Sequence, residues 1–519
     1  MDINELYEKA SAKITEKKLD EAKELVAEMK KMAPNFKGTH FLDSIISFNT
    51  RKYAETVEKL EKILPHYDLS VPAQKEVAVI SLQMLGESYT VLGVAENAVK
   101  YLRVAAQMTT DDDQGFRLFS KAILAANCIE NFSDTDFQVL YAGLNKYMAK
   151  IEAYPKKFYD HEKIRVGFLS VGFGNHVVMH WSGALLTKLD KNLFEPYYYA
   201  DVDKPDKFTD FLRKNLDNWR DISKLTDEET AKIIHDDEID ILFDLDGYFS
   251  DHRLRVSAYR PASVQIAGIG YINSTGLECF DYFLSDEICA GDEDFFTEKI
   301  IKLPQSHICY NPLFIIEVPP TPPCLKNNFV TFGSFNNSIK ITDSMLVTWK
   351  KILDAVPQSR LILKHIVFGN DDGKKFFNER LKSFGFDLDR VEMRPFSNNW
   401  IIEYADVDIA LDTFPYTGGV TTCEALYMGV PVISLYGSRH GTRFGLSILK
   451  NIRLDGFATT SYEGYFNLAV ALANDWELLK ILRKNLRPMM EKSPLMDSQN
   501  YVHEMQNVFV KILNEQKNS

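Results

Sequence analysis

Hydrophobic positions change period twice along the chain. From Met1 to about Lys150 apolar residues recur three and four apart within Lys- and Glu-rich text, which predicts amphipathic helices and almost no strands. After Tyr154-Pro155 short β-branched runs take over, at residues 164–170 (IRVGFLS), 196–200, 239–245 (IDILFDL), 264–268 and 282–284, with helical text such as 227–235 between some of them. Short apolar runs alternating with helices predict a mainly parallel, doubly wound α/β sheet. A proline-rich stretch, Val318-Pro319-Pro320-Thr321-Pro322-Pro323, then breaks the rhythm and reads as an interdomain linker. Beyond it strands are predicted at 329–335 (FVTFGSF), 361–365, 391–396, 407–413 and 431–437, with helices near 342–355, 374–384, 419–428 and 443–451 and a long helical tail over 476–514. The expected organisation is a helical domain over 1–150, a first Rossmann-like domain over 160–317 and a second over 325–515, the two halves facing across a cleft.

Within the helical part a repeat is legible. Lys18-Leu19-Asp20-Glu21-Ala22 returns as Lys52-Tyr53-Ala54-Glu55-Thr56, and Pro34 and Pro65 each close the following helix. In a third unit Leu85, Gly86, Tyr89, Gly93, Ala98, Leu102 and Ala105 stand at the spacings of the tetratricopeptide signature, where small residues let two helices approach and larger ones fill the gap. An ordinary helical bundle is the alternative reading; either supplies a surface, not chemistry. That surface is open to a protein partner, a second copy of the chain in a homodimer included.

Composition narrows the function classes. At 519 residues two to three domains are expected, and the formal net charge of −13 argues against nucleic acid as the main partner. No apolar run reaches the roughly 18 residues of a membrane span, and the first residues do not read as a signal peptide. The six cysteines lack the CxxC spacing of a zinc site and the density of a disulfide scaffold, so a cytoplasmic, reduced protein with no membrane association is the expectation.

The sharpest chemistry lies at residues 412–429 (DTFPYTGGVTTCEALYMG), where a strand ends, Gly418 and Gly419 turn the chain and a helix opens at Val420-Thr421-Thr422. Unpaired amides at a helix start attract phosphate, and glycines let the backbone come close to it. Glu424, in the first turn, suits a ribose diol; alternatively Thr421 or Thr422 is a plain helix cap worth about 0.5–2 kcal/mol without any ligand. Residues 332–340 (FGSFNNSIK) place Asn336, Asn337 and Lys340 after another buried strand, where one fixed cation can stabilise a departing diphosphate or be a solvated loop charge.

Taken in order, RVGFLSVGFGNHVVMH, DLDGYFSDHRLRVSAYRPASVQIAGIGY, FGSFNNSIKI, VPQSRLILK, DIALDTFPYTGGVTTCEALYMGVPVISL and SPLMDS resemble the nucleocytoplasmic O-linked N-acetylglucosamine transferases, with their bacterial relatives and the plant SPINDLY-type enzymes. The resemblance implies a GT-B-type fold behind tetratricopeptide repeats, a uridine-diphosphate sugar donor (UDP-GlcNAc foremost), and inverting transfer to serine or threonine without a metal or other cofactor. It implies that Lys340 neutralises the diphosphate with Asn337 nearby, that Gly419, Thr421 and Thr422 border phosphate, and that Glu424 holds the ribose. His176, in the Gly174-Asn175-His176 motif, would accept a proton, orient the sugar or organise the acceptor. Tyr248 would contact sugar or acceptor, or be framework, and the turn 272–276 would border the sugar.

Three departures from the family pattern stand out. Gly-Tyr-Ile-Asn-Ser replaces Gly-Tyr-Pro-Gly-Thr at 270–274, Trp400 stands where many relatives place a histidine against the uracil, and Val420 replaces a polar residue. An indole can stack on a base. The reading is a protein O-N-acetylglucosaminyltransferase, with flagellin or a surface protein as the guessed acceptor. Transfer of fucose or glucose, a related asparagine-directed glucosyltransferase, an inactive repeat scaffold and a nucleotide-sugar epimerase are the alternatives.

Overall fold

A computed structural model describes residues 1–249, 252–314 and 316–518. Residues 250 and 251, within the DLDGYFSDHRLRV motif, lie outside the described residues. The chain forms two compact units: one comprises Met1–Ile129, Asn337–Leu346 and Leu363–Ser397, the other Glu130–Asn336, Val347–Ile362 and Asn398–Ser519.

The first unit is built on helical hairpins. Helices Leu19–Met32 and Tyr53–Ile63 start from Lys18 and Lys52, whose backbones match closely (φ −87°, ψ 64° and φ −88°, ψ 72°), as a repeat requires. Gly86 lets helix Pro72–Leu92 approach helix Ala95–Met108, since a Cβ there would stand 2.5 Å from Leu102 Cγ. Gly93 ends the longer helix at φ 80°, and a Cβ would meet the Ser338 carbonyl at 2.6 Å. Segments from late in the chain complete this unit. Ser338 Oγ donates to Val91 O (2.7 Å), and the Asp372 carboxylate accepts from the Ala54 and Glu55 amides (2.8 and 3.1 Å). Lys52 provides no side-chain cap, so Asp372 caps helix Tyr53–Ile63 from 318 residues away in sequence.

The second unit carries the first sheet. Its strands are β1 (Ile164–Ser170), β2 (Phe194–Ala200), β3 (Trp219–Asp221), β4 (Ile241–Asp244), β5 (Val264–Ala267), β6 (Tyr282–Asp286) and β7 (Lys299–Leu303), all paired parallel in the order β3-β2-β1-β4-β5-β6-β7. A second sheet holds β8 (Val330–Ser334), β9 (Ser359–Lys364), β10 (Val391–Arg394), β11 (Ile409–Leu411), β12 (Val432–Leu435) and β13 (Ala458–Thr459), in the order β10-β9-β8-β11-β12-β13. Both orders reverse direction once, between β1 and β4 and between β8 and β11. Such switch points open a crevice at the carboxyl ends of the strands, which is where Rossmann-type sheets take ligands.

The structure differs from the sequence reading at the sheet edges and in the tail. Edge strands β3 and β7 join the sheet although their text is short or charged, and the tail is two helices, Trp476–Glu491 and Ser498–Lys517, parted by a turn at Pro494–Met496. Proline at 494 disfavours helical backbone at Ser493, so the break is local chemistry. Helix Asp134–Met148 belongs to the second unit, where Tyr141 OH donates to Ser274 O (2.9 Å) and Asn145 to Gly276 O (2.9 Å).

Candidate active site

The loop from β11 to helix Val420–Tyr427 is wound around one buried carboxylate. Asp412 Oδ1 accepts from the amides of Thr413 (2.8 Å) and Gly418 (2.6 Å), and Oδ2 from Ser434 Oγ (2.7 Å). Gly418 must be glycine here, because a Cβ would stand 2.5 Å from Thr422 Oγ1 and 2.8 Å from Thr421 Oγ1. Gly419 is the N-cap of the helix and makes no side-chain cap bond among the described residues. The first-turn amides and the positive end of the helix dipole therefore lie at the mouth of the loop without a side-chain cap.

Thr421 does not cap its own helix. Its hydroxyl donates to Asn336 Oδ1 (3.1 Å), which bridges the loops after β8 and β11 across the switch point. Thr421 O accepts from Tyr404 OH (3.1 Å), and Tyr404 packs on Phe335 at 4.4 Å. Gly333, Ser334, Asn336, Asp412, Thr421 and Thr422 line a narrow crevice. The Ser334 hydroxyl is buried there with no partner among the described residues.

Glu424 and Trp400 come together. Glu424 is 3% exposed, and Trp400 Nε1 donates to its Oε1 at 2.9 Å. Burial pushes the Glu424 carboxyl up to about 7, against the pull of the indole bond. An aromatic wall continues from this pair: Phe314 meets Trp400 edge-on at 6.3 Å and His180 at 6.2 Å, while His180 stacks on Tyr310 at 5.8 Å. The sequence reading singled out none of His180, Tyr310 or Phe314; the i, i+4 pairing of His176 with His180 was the available signal.

At the first switch point, His176 is the N-cap of helix Val177–Lys188 and accepts the Val178 amide at Nδ1 (3.4 Å). Burial lowers its basicity, so the ring is neutral at pH 7 with its proton on Nε2. The same helix meets the phosphate-type loop, since a Cβ on Gly419 would lie 3.4 Å from Trp181 Cζ2. Two carboxylates, Asp244 and Asp246, are buried at the end of β4, and desolvation raises both. Asp246 binds Ser170 Oγ (2.8 Å) and the Val171 amide (2.6 Å), tying the loops after β1 and β4 together.

Tyr248 is 2% exposed, and its hydroxyl donates to Thr275 O. The 272–276 turn is further closed by Glu298, which accepts from Ser274 Oγ (2.7 Å) and the Thr275 amide (2.8 Å). In this structure the tyrosine braces that turn. Asn337 and Lys340 flank a short turn of the first unit, Asn337 exposed and capping Ile339 and Lys340 half-buried.

Comparison with known proteins agrees with this architecture. The glycosyl transferase family 41 profile matches residues 144–311 and 322–505, and the chain belongs to that family. It is 34% identical over 402 residues, 75% of its length, to a Solanum lycopersicum protein named probable UDP-N-acetylglucosamine–peptide N-acetylglucosaminyltransferase SPINDLY, of which it covers 43%. It is 38% identical over 342 residues (64% of this chain) to the Arabidopsis thaliana SPINDLY protein of the same name, covering 37% of it. The chain thus spans about two fifths of the length of these curated relatives. A solved structure of a Thermobaculum terrenum O-GlcNAc transferase mutant superposes with a TM-score of 0.85 at 25% identity, covering 99% of this chain and 98% of that one. No helix among the described residues is long and apolar enough to cross a membrane.

Proposed function

We propose that this chain is an inverting protein O-glycosyltransferase that moves N-acetylglucosamine from UDP-GlcNAc to serine or threonine, without a metal at the diphosphate. The observation that carries this reading is the helix start at Val420, not capped by Gly419, beside the buried Glu424–Trp400 pair at the second switch point. The amides of Thr421 and Thr422 would take the diphosphate, Glu424 the ribose hydroxyls, and the Trp400 indole the face of the uracil. The names of the relatives favour this donor and a peptide acceptor.

In the transfer, the acceptor hydroxyl oxygen bonds to the anomeric carbon as the bond to the diphosphate oxygen breaks on the opposite face, and the hydroxyl proton passes to the departing diphosphate or to solvent. Negative charge grows on the leaving diphosphate, which the helix dipole stabilises, and the family resemblance gives Lys340 the same task. His176, protonated on Nε2 when neutral, offers a hydrogen-bond donor and so suits orienting a sugar or acceptor oxygen better than removing its proton. The helical repeats would hold the acceptor; a groove of mixed charge lined by Lys37, Glu55, Glu58, Lys59, Lys62 and His66 is the surface they offer. Titration calorimetry with uridine diphosphate tests the donor half. Wild type should bind and Glu424→Ala should bind at least about tenfold more weakly; binding by neither, or equally by both, contradicts the assignment.

A further inference from the structure

Away from the crevice, three buried side chains meet where the segment after β6, the segment after β7 and the turn His440–Thr442 come together within the second unit: Cys289, His307 and His440. Each is fully buried, and one donor atom from each lies within 4.8 Å of the others. Sequence spacing conceals the group, since 18 and 133 residues separate its members.

The hydrogen bonds fix both imidazole tautomers. His440 Nδ1 faces the Ile272 carbonyl (2.8 Å) and His307 Nδ1 faces an Asp286 carboxylate oxygen (2.6 Å). Both partners only accept, so each ring carries a proton on Nδ1, which leaves Nε2 as the atom free to present a lone pair to a metal. Both Nε2 atoms are buried without a partner among the described residues. Leaving such an acceptor dry and unpaired forfeits its hydration, and two in one core call for an explanation.

We infer that Cys289, His307 and His440 bind one thiophilic late first-row metal ion, zinc(II) or copper(I), as a structural pin between the two Rossmann-like halves. Each feature of the cluster fits that role. Imidazole Nε2 and thiolate are the ligand set that these ions prefer over oxygen-binding cations. Backbone carbonyl and carboxylate partners on Nδ1 are the outer contacts that orient metal-binding histidines. Asp286 is itself fixed by the Cys289 amide (2.6 Å) and Ser447 Oγ (3.0 Å). Phe283, Phe296 and Phe444 wall the site, with ring centroids 5.1–5.8 Å from the imidazoles, and exclude solvent. Bonds of about 2.0 Å to nitrogen and 2.3 Å to sulfur set ligand atoms roughly 3.3–3.7 Å apart, so binding draws the three atoms together from within 4.8 Å. Binding forms one metal–sulfur and two metal–nitrogen bonds and releases the Cys289 thiol proton to solvent.

This ion would not touch the donor; it joins β6 and β7 of the first half to the His440 turn of the second. The test is elemental analysis of the tag-free full chain purified without chelator, together with cobalt(II) titration of chelator-treated protein. The expected result is about one equivalent of zinc or copper per chain, and a sulfur-to-cobalt charge-transfer band that is lost in Cys289→Ser and weakened in His440→Asn. Loss of metal below about one tenth of an equivalent should accompany the serine variant. A wild-type chain that retains no metal and develops no charge-transfer band overturns the inference, whether or not the variants fold.

Discussion

Trp400 Nε1 donates a 2.9 Å hydrogen bond to Glu424 Oε1, a carboxyl that is 3% exposed and pushed up to about 7 by burial. The unfolded chain releases this proton near the ordinary glutamate value of 4.5, the folded chain only near 7. The contribution to stability is therefore complete below 4.5 and is lost as pH rises to 7, amounting to roughly 3 kcal/mol. Glu424→Gln lacks that dependence, so its melting temperature relative to wild type should climb between pH 4.5 and pH 8. Thermal melts across that window check it. Trp400→Phe removes the hydrogen bond that pulls the carboxyl down and should move the loss to higher pH.

In the proposed transfer Lys340 stabilises charge that develops on the leaving diphosphate. Lys340→Ala should lower kcat about a hundredfold or more while leaving the melting temperature nearly unchanged. Steady-state release of uridine diphosphate, measured beside thermal melts, checks both. A variant that keeps full turnover would remove lysine from the chemistry.

His176 caps its helix through Nδ1, and in the proposed transfer its Nε2–H is a separate donor. His176→Asn keeps a capping side chain and should hold stability while losing turnover, whereas His176→Ala should lose turnover together with about 0.5–2 kcal/mol of stability. Chemical denaturation of the pair with matched activity assays separates the two duties.

Asp372 caps a helix far from it in sequence. Asp372→Ala leaves the Ala54 and Glu55 amides without that acceptor and should cost about 1–2 kcal/mol. The loss should be read in hydrogen exchange at the start of helix Tyr53–Ile63. Because residues 337–346 and 363–397 pack with the first helices in one unit, removing those helices should lower the melting temperature of the remainder; unchanged melting would contradict that packing.

Much of the fold was legible because its central strands are buried on both faces. Residues 164–170 read as a strand and form β1 with those bounds, and the helix starting near Val420 is where its glycines and threonines predict it. Edge strands escaped: β7 alternates lysine with isoleucine, and β3 is three residues long. The tail read as continuous because periodicity outweighed Pro494. In the site, the glycine turn and Glu424 were visible from local chemistry. That Trp400 bonds Glu424, that Thr421 bonds Asn336, and that Cys289, His307 and His440 converge depends on tertiary contacts that no local pattern encodes.

The most direct test of the central claim is intact-mass analysis of candidate acceptor proteins, incubated with the chain and one uridine- or guanosine-diphosphate sugar at a time. The account predicts a gain of one N-acetylhexosamine, with UDP-GlcNAc alone and not with Lys340→Ala. A gain of a hexose or deoxyhexose would contradict the donor assignment, and no gain with any donor, together with no donor binding by calorimetry, would contradict transferase activity itself.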